Sequence, residues 1–147
     1  MVEIASRNSG VYARLLMGRA WHAMLNARQK EVAPYHVFPR QAYLISILYK
    51  LGHKATLSEL AKYAGRGINT LSTELKIMEK DGLVKKTRQT PKSNLLTIEI
   101  TEKGIETYRN TKKSKSEKAI MSVLSEEECQ HLISLLNKII QKAESYK

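Results

Sequence analysis

Between Pro39 and Ile100 the rhythm of apolar residues changes once, at Gly82, and that change limits the fold more than any other feature of the chain. Before it, apolar residues keep a helical period: Ala42, Ile45 and Leu48 with Leu44, Ile47 and Leu51, then Leu71, Leu75 and Met78. After it, Leu96, Ile98 and Ile100 alternate with Thr97 and Glu99, the period of a half-buried strand. The pattern predicts helices over 39–51, 57–64 and 68–81, then strands over 83–89 and 95–100. Gly65-Arg66-Gly67 separates the second and third of these helices and Gly82 stops the third. Thr90-Pro91-Lys92-Ser93-Asn94 turns the two strands into a hairpin with a polar, basic tip. Thr56-Leu57-Ser58-Glu59 has the form of a capping box, in which hydroxyl and carboxylate satisfy each other's backbone N–H groups.

Longer helices flank this unit. Val11, Leu15, Leu16, Ala20, Ala23, Met24 and Ala27 predict a helix over 9–32, ended by Pro34. Tyr35 to Phe38 form a short link, and Pro39 suits the first turn of the helix that follows. Thr101 is placed to cap a helix over 102–122 that carries Lys112, Lys113, Lys115 and Lys118. Its apolar face is sparse: Ile105, Tyr108, Ala119 and Ile120. Ser125-Glu126-Glu127-Glu128 is a second capping box, and Leu132, Leu135, Leu136, Ile139, Ile140 and Ala143 mark a last helix over 126–145. The expected fold class is mainly α with a small β-hairpin (α+β), in the order α-α-(β)-α-α-β-β-α-α.

Lys and Arg number 25 against 14 Asp and Glu, a net charge of +11 that points to a polyanionic partner. Two short helices joined by a glycine-containing turn match a helix-turn-helix, whose second helix enters the major groove of DNA. With Leu71, Leu75 and Met78 inward, Asn69, Thr70, Ser72, Thr73 and Lys76 face outward. Asn suits adenine, hydroxyls suit bases or phosphates, and Lys76 suits a phosphate or a guanine edge. Thr56 and Ser58, at the head of the preceding helix, join them as candidate DNA contacts. Lys85, Lys86, Arg88 and Lys92 fall within eight residues with no acid among them, a hairpin suited to the DNA backbone or minor groove. Lysines also protect strand edges in proteins that bind nothing there. Residues 84–118 hold ten Lys or Arg and four Glu, so the excess is expected on the DNA side.

Other classes fit less well. His22, His36, His53 and His131 lack metal-ligand spacing, and neither a phosphate-binding glycine loop nor a Ser-His-Asp arrangement is evident. No enzyme activity, cofactor or metal is expected. Cys129 is the one cysteine, so no disulfide forms within the chain. Reactive thiols sit in cationic surroundings, whereas Glu126, Glu127 and Glu128 precede this one, so an inert residue is expected. No apolar run approaches about 18 residues and the N-terminus does not read as a signal peptide, so a cytoplasmic protein without a membrane partner is expected. The competing reading is a winged-helix module that binds a protein, its basic hairpin meeting an acidic surface.

From about Tyr12 to Ile140 the chain resembles the MarR (multiple antibiotic resistance regulator) family of winged helix-turn-helix repressors. The resemblance rests on Leu60-Ala61 through Thr70, Leu71, Leu75, Glu79 and Gly82-Leu83-Val84, which is similar to the family's "Leu-Glu-x-x-Gly-Leu-Val" ending. Thr101-Glu102-Lys103-Gly104 resembles the "Leu-Thr-x-x-Gly" after the wing, with Ile100 in the Leu place. Leu124 to Glu128 resembles the opening of the last helix, and Pro39-Arg40-Gln41 that of the second. The chain departs from the pattern in three places. Lys92 and Asn94 stand for the Asp and Arg of the wing's Asp-x-Arg, Arg66-Gly67 for an apolar residue and a Ser cap, and Phe38 for a Thr cap. The resemblance implies a homodimeric, sequence-specific regulator on a palindromic operator. Residues 1–34 and 102–147 would form the dimerisation region and 35–101 the DNA-binding region of one compact domain. It also implies a repressor relieved by a small aromatic effector, for which Tyr12, Trp21, His22, Tyr43 and Tyr108 are the candidate contacts.

Overall fold

The computed structural model describes residues 8–92 and 95–147. Helix α1 (Ser9–Val32) starts where the Asn8 side chain accepts from the Val11 N–H at 3.1 Å. It gives way to the 3-10 turn Ala33–Tyr35, where Pro34 has no N–H to continue the ladder. Helix α2 (Pro39–Lys50) buries Gln41, Ala42, Leu44, Ile45 and Leu48, so its broad apolar face is covered on more than one side. Gln41 Oε1 accepts from the Phe38 N–H at 3.0 Å, but a phenyl ring can accept nothing in return. Half of a capping box is thus made where the family pattern has Thr.

Strand β1 (Lys54–Thr56) leads into α3 (Leu57–Ala64) and α4 (Ile68–Lys80). The capping box at the head of α3 is closed on both sides, Glu59 N–H to Thr56 Oγ1 at 3.1 Å and Thr56 N–H to Glu59 Oε2 at 3.3 Å. Strands β2 (Val84–Arg88) and β3 (Leu96–Ile100) form the hairpin, and β1 adds to its far edge in the antiparallel order β1-β3-β2. Ile98 lies opposite Ala55 on one side and Lys86 on the other. One core sits beneath both units: Leu44, Ile45, Leu48, Leu60, Leu71, Leu75, Met78, Leu83, Val84 and Ile98 are all fully buried. Each side chain of this kind stabilises by about 1.5–3 kcal/mol when removed from water.

Helix α5 (Glu102–Thr111) is capped by Thr101, whose Oγ1 accepts from the Gly104 N–H at 3.1 Å and lies 2.6 Å from the Gly82 carbonyl oxygen, to which it donates. Lys103 Nζ donates to the Asp81 carbonyl oxygen at 2.7 Å. These bonds fasten the start of α5 to the end of α4, with Gly82 between in a left-handed conformation, φ 77°. The continuous helix expected over 102–122 is two helices, α5 and α6 (Lys115–Met121). The break has a tertiary cause. Arg28 donates to the Thr111 carbonyl oxygen at 2.6 Å, and the Glu31 carboxylate accepts from the N–H groups of Lys115 and Ser116, each at 2.9 Å. Ser114, the residue before α6, makes no capping bond of its own, so α1 supplies the cap.

Burial pushes the Glu31 carboxyl up, but the N–H groups of Ser116 and Lys115, with Arg28 beside them, outweigh it and hold it below its ordinary value. A depressed carboxylate stabilises above its ordinary pKa, and that contribution is lost as pH falls through the folded-state value. Glu31→Gln is therefore expected to cost about 1–2 kcal/mol at neutral pH. The deficit should shrink below about pH 4, near the ordinary carboxylate range. Urea denaturation at both pH values checks this; an undiminished deficit in acid would count against the carboxylate's role.

Helix α7 (Glu126–Ser145) completes the chain, with Ser125 and Glu128 closing the second capping box. None of its residues is buried, and α1 buries only Val32. Leu15, Leu16, Leu135, Ile139 and Ile140 are exposed, so apolar stripes of both helices are left uncovered within the single chain. No helix among the described residues is long and apolar enough to cross a membrane.

Candidate nucleic-acid interface

The turn between α3 and α4 depends on two glycines. Gly65 ends α3 in the left-handed region at φ 66°, and Gly67 precedes α4 without any side-chain cap. The missing cap is offset by Arg66, whose guanidinium bonds Glu74, nearly two turns into α4, at 2.6 Å. Both side chains are largely buried, so the pair is screened less than a surface ion pair.

On α4, Leu71, Leu75 and Met78 are turned into the core as the spacing predicts. Asn69, Thr70, Thr73 and Lys76 are exposed, and Ser72 is half-buried. Thr73 Oγ1 donates to the Asn69 carbonyl oxygen at 3.1 Å, which leaves its lone pairs outward. Thr70 and Thr73, one turn apart, both line a groove on the flank of the helix with Leu25, Phe38 and Ile77. Ser58 is exposed at the head of α3, whereas Thr56 is half-buried and its hydroxyl already serves the helix cap. Lys62 and Tyr63, exposed on α3 beside the turn, were not among the sequence candidates; an outward-facing Lys-Tyr pair next to Gly65 was the available signal.

The hairpin presents Lys85, Arg88 and Lys92 to solvent, and Lys86 is half-buried. Glu79 Oε2 accepts from the Lys86 N–H at 3.2 Å, so α4 and β2 hold a fixed relation. The hairpin is not free of acid: the strand register sets Glu99 opposite Lys85, and their charged groups lie 3.7 Å apart. Both are well exposed, so solvent weakens the attraction and Lys85 keeps much of its reach. Of the two departures expected at the wing tip, Lys92 is exposed, and Asn94 lies outside the described residues, as does Ser93.

The expected excess of positive charge on this side needs correcting. Helix α5 starts at the hairpin and climbs ten residues, about 15 Å at the helical rise. Lys112, Lys113, Lys115 and Lys118 therefore lie at its far end, next to α1, and not beside the recognition helix.

A cleft of about 520 Å³ opens between α1, α2 and the α5–α6 joint. Of the five aromatic candidates, Trp21, Tyr43 and Tyr108 line it. Tyr12 and His22 do not: Tyr12 lies more than two turns before Trp21 on α1, and His22 is exposed on a different face. Tyr108 is held by stacking on Tyr49, ring centroids 4.0 Å apart. Arg28, Arg40, Lys50, Arg66 and Lys112 also border the cleft, against a single acid, Glu117.

A three-stranded winged sheet behind a helix-turn-helix, carried between long flanking helices, defines a winged helix-turn-helix protein. The fold is that of the MarR-type transcriptional regulators. The organohalide-sensing regulator RdhR-CbdbA1625, solved with 2,4-dichlorophenol, superposes with a TM-score of 0.86 at 22% identity over 97% of this chain and 85% of that one. MepR of S. aureus, solved with DNA, gives 0.78 at 22% identity over 88% and 96%. AbsC, a MarR family regulator from Streptomyces coelicolor, gives 0.78 at 18% identity over 93% and 95%. No family model matches the sequence, and no curated protein matches it.

Proposed function

We propose that the protein is a sequence-specific DNA-binding transcriptional regulator that works as a homodimer. The observation that carries this reading is the exposed polar face of α4 beside a basic hairpin, on a fold shared with a regulator solved on DNA. Residues 35–101 do the reading, and the segments 1–34 and 102–147 pair two copies through their uncovered apolar stripes. Asn69, Thr70, Ser72 and Thr73 contact bases or adjacent phosphates. Lys76, Lys85, Lys86, Arg88 and Lys92 position the backbone, with Ser58 at the head of α3. Two such heads read half-sites about 34–36 Å apart. An aromatic effector in the cleft with Trp21, Tyr43 and Tyr108 relieves repression by favouring a half-site separation that no longer fits DNA.

Selection from a random DNA pool, followed by affinity measurement across salt concentrations, tests the reading. A two-fold symmetric site and a steep loss of affinity with salt are expected. Lys85→Ala should weaken all sequences alike and reduce the salt slope by about one. Thr73→Ala should instead alter the preferred sequence. Reversal of these two behaviours would contradict the assigned roles.

A further inference from the structure

We infer that the basic joint between α5 and α6 is a second DNA-binding surface, which takes the phosphate backbone of duplex lying outside the two half-sites. The inference rests on the DNA-binding reading above. Arg109, Lys112, Lys113, Lys115 and Lys118 fall within ten residues, against one acid, Glu117. All five are exposed. Among the described residues none of the five forms an ion pair. Glu31, the carboxylate packed against the joint, does not neutralise them. Its Oε1 accepts from Arg28 and from the Lys115 N–H, and its Oε2 accepts from the Ser116 N–H. Lys30, exposed beside Glu31 at the end of α1, adds a further cation next to the same joint. Charges of one sign gathered this closely repel one another until a polyanion is bound.

The composition of the segment selects the partner. Arg109 to Lys118 contains no apolar residue, and its remaining members carry hydroxyls, an amide and the one carboxylate. A protein partner needs an apolar centre to its contact, and a lipid surface needs apolar side chains that enter it. A phosphate backbone needs only cations and hydrogen-bond donors. The joint does not suit the pairing of two copies either, because its charges would be desolvated there without partners. Duplex DNA is also the polyanion at hand. With the reading heads on an operator, the flanks are held at high effective concentration, so weak contacts suffice. Helix α5 separates the joint from the hairpin by about 15 Å. Either the flank of the bound duplex bends toward the joint or a second duplex lies against it, and the phosphates recognised are the same.

The test uses the full chain and a symmetric site selected with the wild type. The site is centred in a duplex of about 60 bp, roughly three times the length of two half-sites one turn apart. A matched duplex carries uncharged methylphosphonate linkages throughout its flanks. The wild type is expected to bind the fully charged duplex about tenfold more tightly, with a steeper salt dependence. Lys113, Lys115 and Lys118 are then changed together to Gln, or together to Arg; Lys112 is kept because it borders the aromatic cleft. The Gln variant should lose the preference while holding its thermal midpoint and its affinity for the duplex with neutral flanks. The Arg variant should retain the preference. Energy transfer between dyes on the two duplex ends, raised by the wild type only, assigns the contact to bent flanks. Capture of a second, unrelated duplex by the operator complex assigns it to another DNA molecule. Equal affinity for the two duplexes without such capture, or a preference or capture that survives in the Gln variant, overturns the inference. If the wild type selects no sequence, the DNA-binding reading fails and takes this surface with it; a selected site with indifferent flanks and no capture defeats the surface alone.

Discussion

Replacing Leu135 and Ile139 together by glutamate is expected to turn a dimer into a monomer and to lower affinity for a symmetric DNA site by about 10²–10⁴-fold. Within a single chain the exchange disturbs no packed surface, because Leu135 and Ile139 are 41% and 47% exposed and no residue of α7 is buried. The exposed side of α7 is nevertheless a long apolar stripe, which a monomeric protein rarely leaves open. Four carboxylates facing one another across a two-fold axis would have to be desolvated, and that cost exceeds what the remaining apolar contacts return. The loss in DNA affinity follows from avidity: once one head is bound, the second is held close to its half-site, and separation removes that advantage. Light scattering gives the mass and fluorescence anisotropy the affinity. A variant that stays dimeric would place the pairing surface elsewhere.

Gly104→Ala is expected to destabilise the protein by about 3 kcal/mol, at the upper end of ordinary overpacking. That corresponds to roughly 10 °C in thermal midpoint for a chain of this size. A methyl group at this position would collide with the Leu83 carbonyl oxygen and lie 2.6 Å from Ile100 Cγ1. The first obstacle is backbone and cannot rotate away. It is also fixed by its partners, since the Leu83 carbonyl accepts from the Thr101 N–H at 3.1 Å. Helix α5 would have to lift off β3, breaking the Thr101 cap as it moved. Gly18→Ala is the control: it sits in α1 with nothing near the added methyl, and a helix interior favours Ala. Equal thermal midpoints for the two variants would show that the close approach at Gly104 carries no cost.

The parts of this architecture legible in the sequence are those written in short-range signals. Leu71, Leu75 and Met78 name the inward face of α4, and the capping boxes at Thr56 and Ser125 mark helix starts within four residues. Thr101 and Gly104 mark the head of α5 in the same way, although the reason for the glycine lies in the backbone it meets. What the sequence hid depends on residues brought together by folding. The cap of α6 is Glu31, more than eighty residues earlier, so no local pattern announces the break after Thr111. The Lys85–Glu99 pairing needs the strand register, and the Arg66–Glu74 bond needs the path of the turn between them. Aromatic spacing on α1 selects neither Tyr12 nor Trp21 until the depth of the cleft along the helix is known.

The seam made by Arg28 and Glu31 has a mechanical consequence. It bolts the end of α1 to the joint between α5 and α6, and the other end of α5 is bolted by Thr101 and Lys103 to the foot of the recognition helix. Helix α5 is thus a strut with both ends pinned. A tilt of α1 would therefore reach α4 as a displacement rather than be absorbed along the way.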